Sequence, residues 1–217
     1  MSGRERVGLV AAFWLAVALS AVRPYDAHDY VLEIATPVLG FLVLWATRRR
    51  FPFTALACRL MFVEALVLIV GAHYTHERVP AFDWLRDALG RPRNDYDRLA
   101  HFCVGFLLAI PVREILVRTT PLRGRALAVL SAICILGFGA FYEITEWWIA
   151  ALSSPETGAA YLGSQGDIWD AQKDMLLDGL GAVAGLALWS RAHDRQVVAG
   201  SGLAFAPVKP SQAKSQT

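Results

Sequence analysis

In "NDYDRLAHFCVGF" (Asn94 to Phe106), His101 follows Asp97 by four residues, a spacing that sets a carboxylate and an imidazole on one face of a helix. In "YEITEWW" (Tyr142 to Trp148), Glu143 and Glu146 share a helical face with Gly139 and Ala150. A third constellation comprises Asp167, Asp170, Asp174 and Asp178, which fall within an arc of roughly 80° at about 100° per residue. Imidazole with carboxylates suits zinc, and carboxylates alone suit magnesium, calcium or manganese. The same groups, or a water activated by such a metal, also perform acid–base catalysis. His101, Glu143 and Asp178 are therefore the catalytic candidates, and with Asp174 they form the candidate ligand set for a divalent metal ion. Asp97, Glu146, Asp170, Asp174, His73 and Tyr142 complete the expected ligand-binding site, with Glu33 and Glu64 as further contributors. No H-E-x-x-H, no G-x-S-x-G and no arginine-rich phosphate signature accompanies them, so the residues imply a site without naming a reaction.

The elements that hold these residues are apolar. Of 217 residues, 55% are hydrophobic, too many for an ordinary soluble domain, and the net charge of +2 carries no nucleic-acid footprint. The expected fold is all-α, a polytopic membrane bundle of about six transmembrane helices, with spans near 7–22, 30–47, 54–73, 99–117, 126–151 and 174–190. Residues 1–195 read as a single transmembrane domain, and 196–217 as a disordered cytoplasmic tail rich in Ser, Gly, Pro, Ala and Lys. The first apolar run, followed by small residues, also fits a cleaved signal peptide, although its length favours retention. Cys58, Cys103 and Cys134 lie far apart in apolar runs and read as packed thiols.

Arg48 to Arg50, then Arg118, Arg123 and Arg125, then Arg191 and Arg195 mark alternate loops, which by the positive-inside rule puts both termini in the cytoplasm. The loop from Tyr74 to Arg98 is mixed in charge, and Trp147 and Trp148 suit an interfacial belt. On this topology His73, Asp97, His101, Glu143, Glu146, Asp174 and Asp178 all fall toward the extracytoplasmic side. Gly181 and Gly185 continue the acidic face inward as a small-xxx-small pair, so the stripe is expected to point into the bundle. Ser164, three residues before Asp167, is the expected N-cap of that helix. A carboxylate at mid-span costs on the order of 3 kcal/mol, so several need compensation by a cation, a proton, hydrogen-bond partners or water. A fully satisfied polar network without any ligand meets the same requirement. Arg113 and Glu114, with Arg118 four residues on, read as a helix-end ion pair with snorkelling. Arg59 calls for a partner on a neighbouring span, while His28, His76 and His193 read as loop histidines.

Four segments in order, "GAHYTHERVP", "NDYDRLAHFCVGF", "YEITEWW" and "YLGSQGDIWDAQKDMLLDGLGAV", resemble the signature of the YjdF-like family of bacterial inner-membrane proteins, whose function is unknown. The resemblance covers Gly71 to Gly185, about half the chain. More distantly, the acidic-basic-x-x-His opening with a Glu-bearing helix and an Asp-bearing last helix is similar to VanZ-like membrane proteins, which implies a cell-envelope setting. Asp97, Arg98, His101, Glu143 and Asp174 or Asp178 are the positions that resemblance would share. Together these readings lead to a site on the extracytoplasmic side for a divalent cation, a membrane lipid or a lipid-linked envelope ligand. A proton- or cation-coupled transporter and a non-catalytic scaffold are the alternatives. Transport suffers from the apolar inner half of most spans and from the lack of paired broken helices.

Overall fold

A computed structural model describes residues 1–155, 158, 162 and 164–201. Among these the chain forms seven helices and no strand: α1 (Gly3–Ser20), α2 (Ala27–Thr47), α3 (Ala55–Tyr74), α4 (Pro80–Leu89), α5 (Tyr96–Thr119), α6 (Gly124–Leu152) and α7 (Asp170–Ser201). Local chemistry sets the starts. Ser2 accepts from the Glu5 amide, Asp26 from those of His28 and Asp29, and Thr54 from that of Ala57, each satisfying amides that the first turn leaves unpaired. By length and composition α2, α3, α5 and α6 can cross a membrane. The helices expected as first and last spans fall outside that group: α1 begins with Arg4, Glu5 and Arg6, and α7 carries charges at both ends.

Three local expectations are corrected. The loop between the third and fourth expected spans contains α4, started by Pro80 and closed by Gly90 at φ +60°. Its charged residues hid an amphipathic helix that leaves Trp84 and Leu89 exposed. Ser164 does not cap α7. Gln165 and Gly166 turn the chain at positive φ, and Asp167 accepts the Trp169 amide at 3.1 Å, so the helix starts at Asp170. At its other end α7 runs past 195, with Val197 buried and the Leu56 amide donating to Gln196 Oε1 at 2.9 Å, because those side chains pack on α3 and α5 rather than facing water. Residues 202–217, expected as disordered tail, lie outside the described residues.

α5 is the centre of the bundle, packed against α7, α3 and α6, while α1 and α2 lean on α3. Its contact with α7 is backbone against backbone. A Cβ at Gly181 would stand 2.1 Å from the Phe102 carbonyl oxygen, one at Gly185 2.2 Å from that of Phe106, and one at Gly105 2.0 Å from that of Asp178. This is the close approach expected of Gly181 and Gly185, with Gly105 answering from the facing helix. A buried apolar cluster that includes Leu60, Leu107, Ile110, Ile135, Ala182 and Leu186 fills the middle.

At one end of this cluster the expected helix-end pair of Glu114 and Arg118 forms and is extended into a buried network. Glu114, fully buried, accepts from the Thr54 amide (2.9 Å) and hydroxyl (2.7 Å), from Arg118 (3.0 Å) and from His193 Nε2 (3.2 Å). Arg113 donates to His193 Nδ1 at 2.7 Å and reaches Asp194 at 2.7 Å. An arginine cannot accept, so Nδ1 is the acceptor and Nε2 carries the proton given to Glu114. His193 thus links Arg113 to Glu114, ordered because α7 is about three turns longer than its apolar run suggests. Arg59 finds its partner in Glu5 of α1, at 2.7 Å.

Gly181→Val is expected to lower the thermal unfolding midpoint in detergent, by the equivalent of about 1–3 kcal/mol or more for overpacking a site where backbone blocks relief. Gly137→Ala, with nothing within 4 Å of the new methyl, is the control expected to leave it unchanged. Glu114→Ala is expected to cost about 3–5 kcal/mol, well above Arg118→Ala, because it strands a buried imidazole and hydroxyl as well as a guanidinium.

Candidate functional site

The opposite end of the bundle gathers the residues singled out by type and spacing. His101, on the second turn of α5, is 8% exposed. Its Nδ1 lies 3.4 Å from Asp178 Oδ2 on α7, and its Nε2 lies 3.5 Å from Glu143 Oε1 on α6 and 3.9 Å from Asp97 Oδ1 one turn back. Asp97, His101 and Asp174 each place a donor atom within 4.8 Å of the other two. Asp170, Asp174 and Asp178 are all buried, so the acidic face of α7 points inward as its periodicity requires. Room for it comes from α6, where a Cβ at Gly139 would stand 1.9 Å from Asp178 Oδ2.

Two arginines cover the cluster. Arg93, 5% exposed, hydrogen-bonds Asp170, donates to the Ser164 carbonyl at 3.4 Å and lies 3.8 Å from Asp97. Arg98 binds Asp167 and reaches Asp95 at 3.3 Å and Asp170 at 3.6 Å. Beside them the Asn94 amide donates to Gln165 Oε1 at 2.9 Å and Gln165 returns a bond to the Asn94 carbonyl at 3.0 Å, tying the approach to α5 to the approach to α7. Bonds from the Lys173 ammonium, the Trp169 amide and Arg98 hold the Asp167 carboxyl down at about 2. Because its pKa is depressed, its contribution to stability is complete above the ordinary carboxylate range near pH 4 and is lost only as the pH falls through about 2. Arg93 and Asn94 carried no periodic signal and were missed in the sequence; the quoted segment "NDYDRLAHF" begins at one of them.

A cavity of about 740 Å³ opens beside the cluster. It exists because α2 packs on α3 and stands off from α6. At one end it is lined by Glu33, His76, Asp97, His101, Tyr142 and Glu146, with Glu64 and Asp178 deeper. Through its middle it is apolar, bounded by residues such as Phe41, Leu44, Leu108, Val112 and Phe138, and its far end reaches Arg6 and Arg48. Glu64 is 2% exposed, and neither of its oxygens has a hydrogen-bond partner among the described residues. His76, read as a loop histidine, lies 3.4 Å from Glu33 in the cavity wall, where its ring rests on Gly71; a Cβ there would be 2.0 Å from Nε2. Tyr142 donates to Glu33 at 3.4 Å. His73 stands apart from this group: its Nδ1 donates to the Ser20 carbonyl at 2.7 Å, fastening the end of α3 to the end of α1. A helix-terminal histidine facing an unpaired terminal carbonyl is a structural tie.

Gly139→Ala is expected to push the Asp178 carboxylate off His101. Diethyl pyrocarbonate should then modify His101 faster than in the parent chain, as read by peptide mass mapping of residues 94–106. An unchanged rate would contradict the packing of Asp178 against α6.

Sequence comparison meets this geometry from another side. The profile of a family described as "Predicted membrane protein (DUF2238)" matches residues 6–195, which hold all six long helices but for a few terminal residues, and every residue of the cluster. "Inner membrane protein YjdF" of Escherichia coli (strain K12) is similar, 38% identical over 184 residues that cover 84% of this chain and 88% of the relative. No solved structure matches. An apolar bundle with four helices able to cross a membrane, matched over most of its length by one membrane-protein family, identifies the chain as a member of that family, DUF2238.

Proposed function

We propose that the chain crosses the bacterial cytoplasmic membrane six times with both termini in the cytoplasm, and that it binds an amphiphile, a membrane lipid or lipid-linked envelope compound, in the cavity beside His101. The carrying observation is the shape of that cavity, about 740 Å³, polar at the His101 end, apolar through its middle and reaching Arg6 and Arg48 at the other end. A polar head fits among Glu33, Asp97, His101 and Glu146, and an acyl or prenyl chain fits along Phe41, Leu108 and Phe138. Several facts support six crossings. α1 and α7 lie alongside the four apolar helices, and the acidic face of α7 is buried rather than turned to lipid. Arg48, Arg118, Arg123 and Arg191 belong to the Glu114 end, which the positive-inside rule assigns to the cytoplasm. Trp147 and Trp148 are exposed near the far end of α6, where an outer interface would lie. The apolar middle of the cavity, between His101 and Arg48, favours an amphiphile over a polar path through the membrane. Within the site His101, steadied by Asp178, presents Nε2 toward Glu143, which suits the pair to proton transfer with a bound head group.

Two measurements test this. Purified chain, extracted and analysed by mass spectrometry, is expected to retain about one defined lipid per protein, and Leu108→Trp, which fills the apolar length, is expected to lose most of it. Equal retention by parent and variant would contradict the binding mode. In a background without the native cysteines, Asp87→Cys on α4 is expected to react with an impermeant maleimide in intact spheroplasts; reaction only after lysis would reverse the orientation.

A further inference from the structure

Resting on the reading of the cavity as a head-group site, we infer that Asp97, His101 and Asp174 form the seat of a divalent cation of the zinc or manganese class, with Asp178 as the residue that orients the histidine ligand. The separations fit one shared ion better than they fit direct bonds. Nε2 of His101 stands 3.9 Å from Asp97 Oδ1, beyond hydrogen-bond reach. Two donors that share an ion, each about 2.1 Å from it, stand about 3 to 4 Å apart. All three residues offer an atom inside the same 4.8 Å, a spacing that small side-chain shifts close onto one ion.

A second observation is independent of this spacing. Asp174 is 2% exposed and Asp178 fully buried, yet Oδ1 of each has no hydrogen-bond partner among the described residues. Buried carboxylate oxygens in that condition call for a cation or a proton. The nearby cations do not supply it. Arg93 hydrogen-bonds Asp170 and stands 3.8 Å from Asp97, and Arg98 reaches Asp167, Asp95 and Asp170; each keeps a guanidinium nitrogen without a hydrogen-bond partner, and among the described residues neither bonds Asp174 or Asp178. That leaves His101 facing Glu64 on α3, Asp97 on its own helix, Glu143 and Glu146 on α6, and Asp174 and Asp178 on α7, with His76 as the other basic group at this end of the cavity wall among the described residues, while Arg6 and Arg48 line its opposite end. A divalent ion restores the balance.

The order of the ligand atoms follows from His101. Its Nδ1 faces Asp178 Oδ2 at 3.4 Å, so a neutral ring carries its proton there and turns the Nε2 lone pair toward Asp97 and Glu143. That is the carboxylate–histidine–metal arrangement, in which the outer carboxylate fixes the tautomer and the ring. One imidazole with two carboxylates leaves positions open for Glu143, water or the head group from the adjoining cavity.

The test uses the full chain in detergent, freed of metal by chelator dialysis and titrated calorimetrically with Zn²⁺ and separately with Mn²⁺. About one ion per chain is expected. Asp174→Asn and His101→Ala should each weaken binding at least 100-fold, and Asp178→Asn about 10- to 100-fold as expected of an orienting partner. Glu114→Gln, at the other end of the bundle, should leave affinity unchanged. With Mn²⁺ bound, electron spin-echo spectra should show nitrogen coupling that His101→Ala abolishes. Unfolding midpoints are recorded for every variant, and Asp97→Asn substitutes if His101→Ala fails to fold. No saturable binding by the parent chain, or equal binding by Asp174→Asn, would overturn the site. Retained lipid is measured on the same samples: lipid without metal would sink the cation seat and spare the cavity, and metal without lipid would do the reverse.

Discussion

The bundle depends on the crossing of α5 and α7, where Gly105, Gly181 and Gly185 let two backbones touch. In a lipid setting there is no hydrophobic force to press helices together, so close packing by small residues carries the association. The same contact decides the chemistry. Asp178 stands one turn from Gly181 on α7, and His101 stands one turn from Gly105 on α5, so the glycines that bring the backbones together bring imidazole to carboxylate. A wider crossing would leave both facing emptier space, each with its own desolvation cost.

Polar groups sit at both ends of this crossing and are treated oppositely. At the Glu114 end the donors and acceptors around Glu114 and His193 match, and the ring accepts from Arg113 on one side and donates to Glu114 on the other. At the Asp178 end the account does not balance: Glu64, Asp174 and Asp178 keep oxygens without partners, and a cavity begins where α2 leaves α6. A network that is satisfied serves stability, whereas one left open beside a cavity is arranged for something else to complete it. The apolar cluster of Leu60, Ile110, Ile135 and Leu186 keeps the two ends apart.

Much of this was legible in the sequence, and for identifiable reasons. The inward face of α7 follows from Asp170, Asp174, Asp178, Gly181 and Gly185 recurring at helical spacing, and the pairing of Asp97 with His101 follows from four residues of separation. What periodicity does not encode was lost. His193 is buried because α7 continues beyond its apolar run, and His76 enters the cavity wall because the chain turns back at Thr75 and His76 with positive φ. His73 shares the chemistry of the site residues but faces a terminal carbonyl, a choice set by where α1 ends. The cavity arises where α2 and α6 meet only sparsely, as through Tyr142 and Glu33, and only tertiary packing reveals such a gap.

The claim that everything else rests on is that α5 and α7 meet closely enough for His101 and Asp178 to act as one unit. A double-mutant cycle of His101→Ala and Asp178→Ala, with stability read by reversible denaturant titration in mixed micelles, measures that directly. A coupling of at least about 1 kcal/mol is predicted, since residues in contact within one polar network couple by roughly 0.5–3 kcal/mol. Additivity within about 0.3 kcal/mol, as for residues far apart, would contradict the crossing and the site built on it.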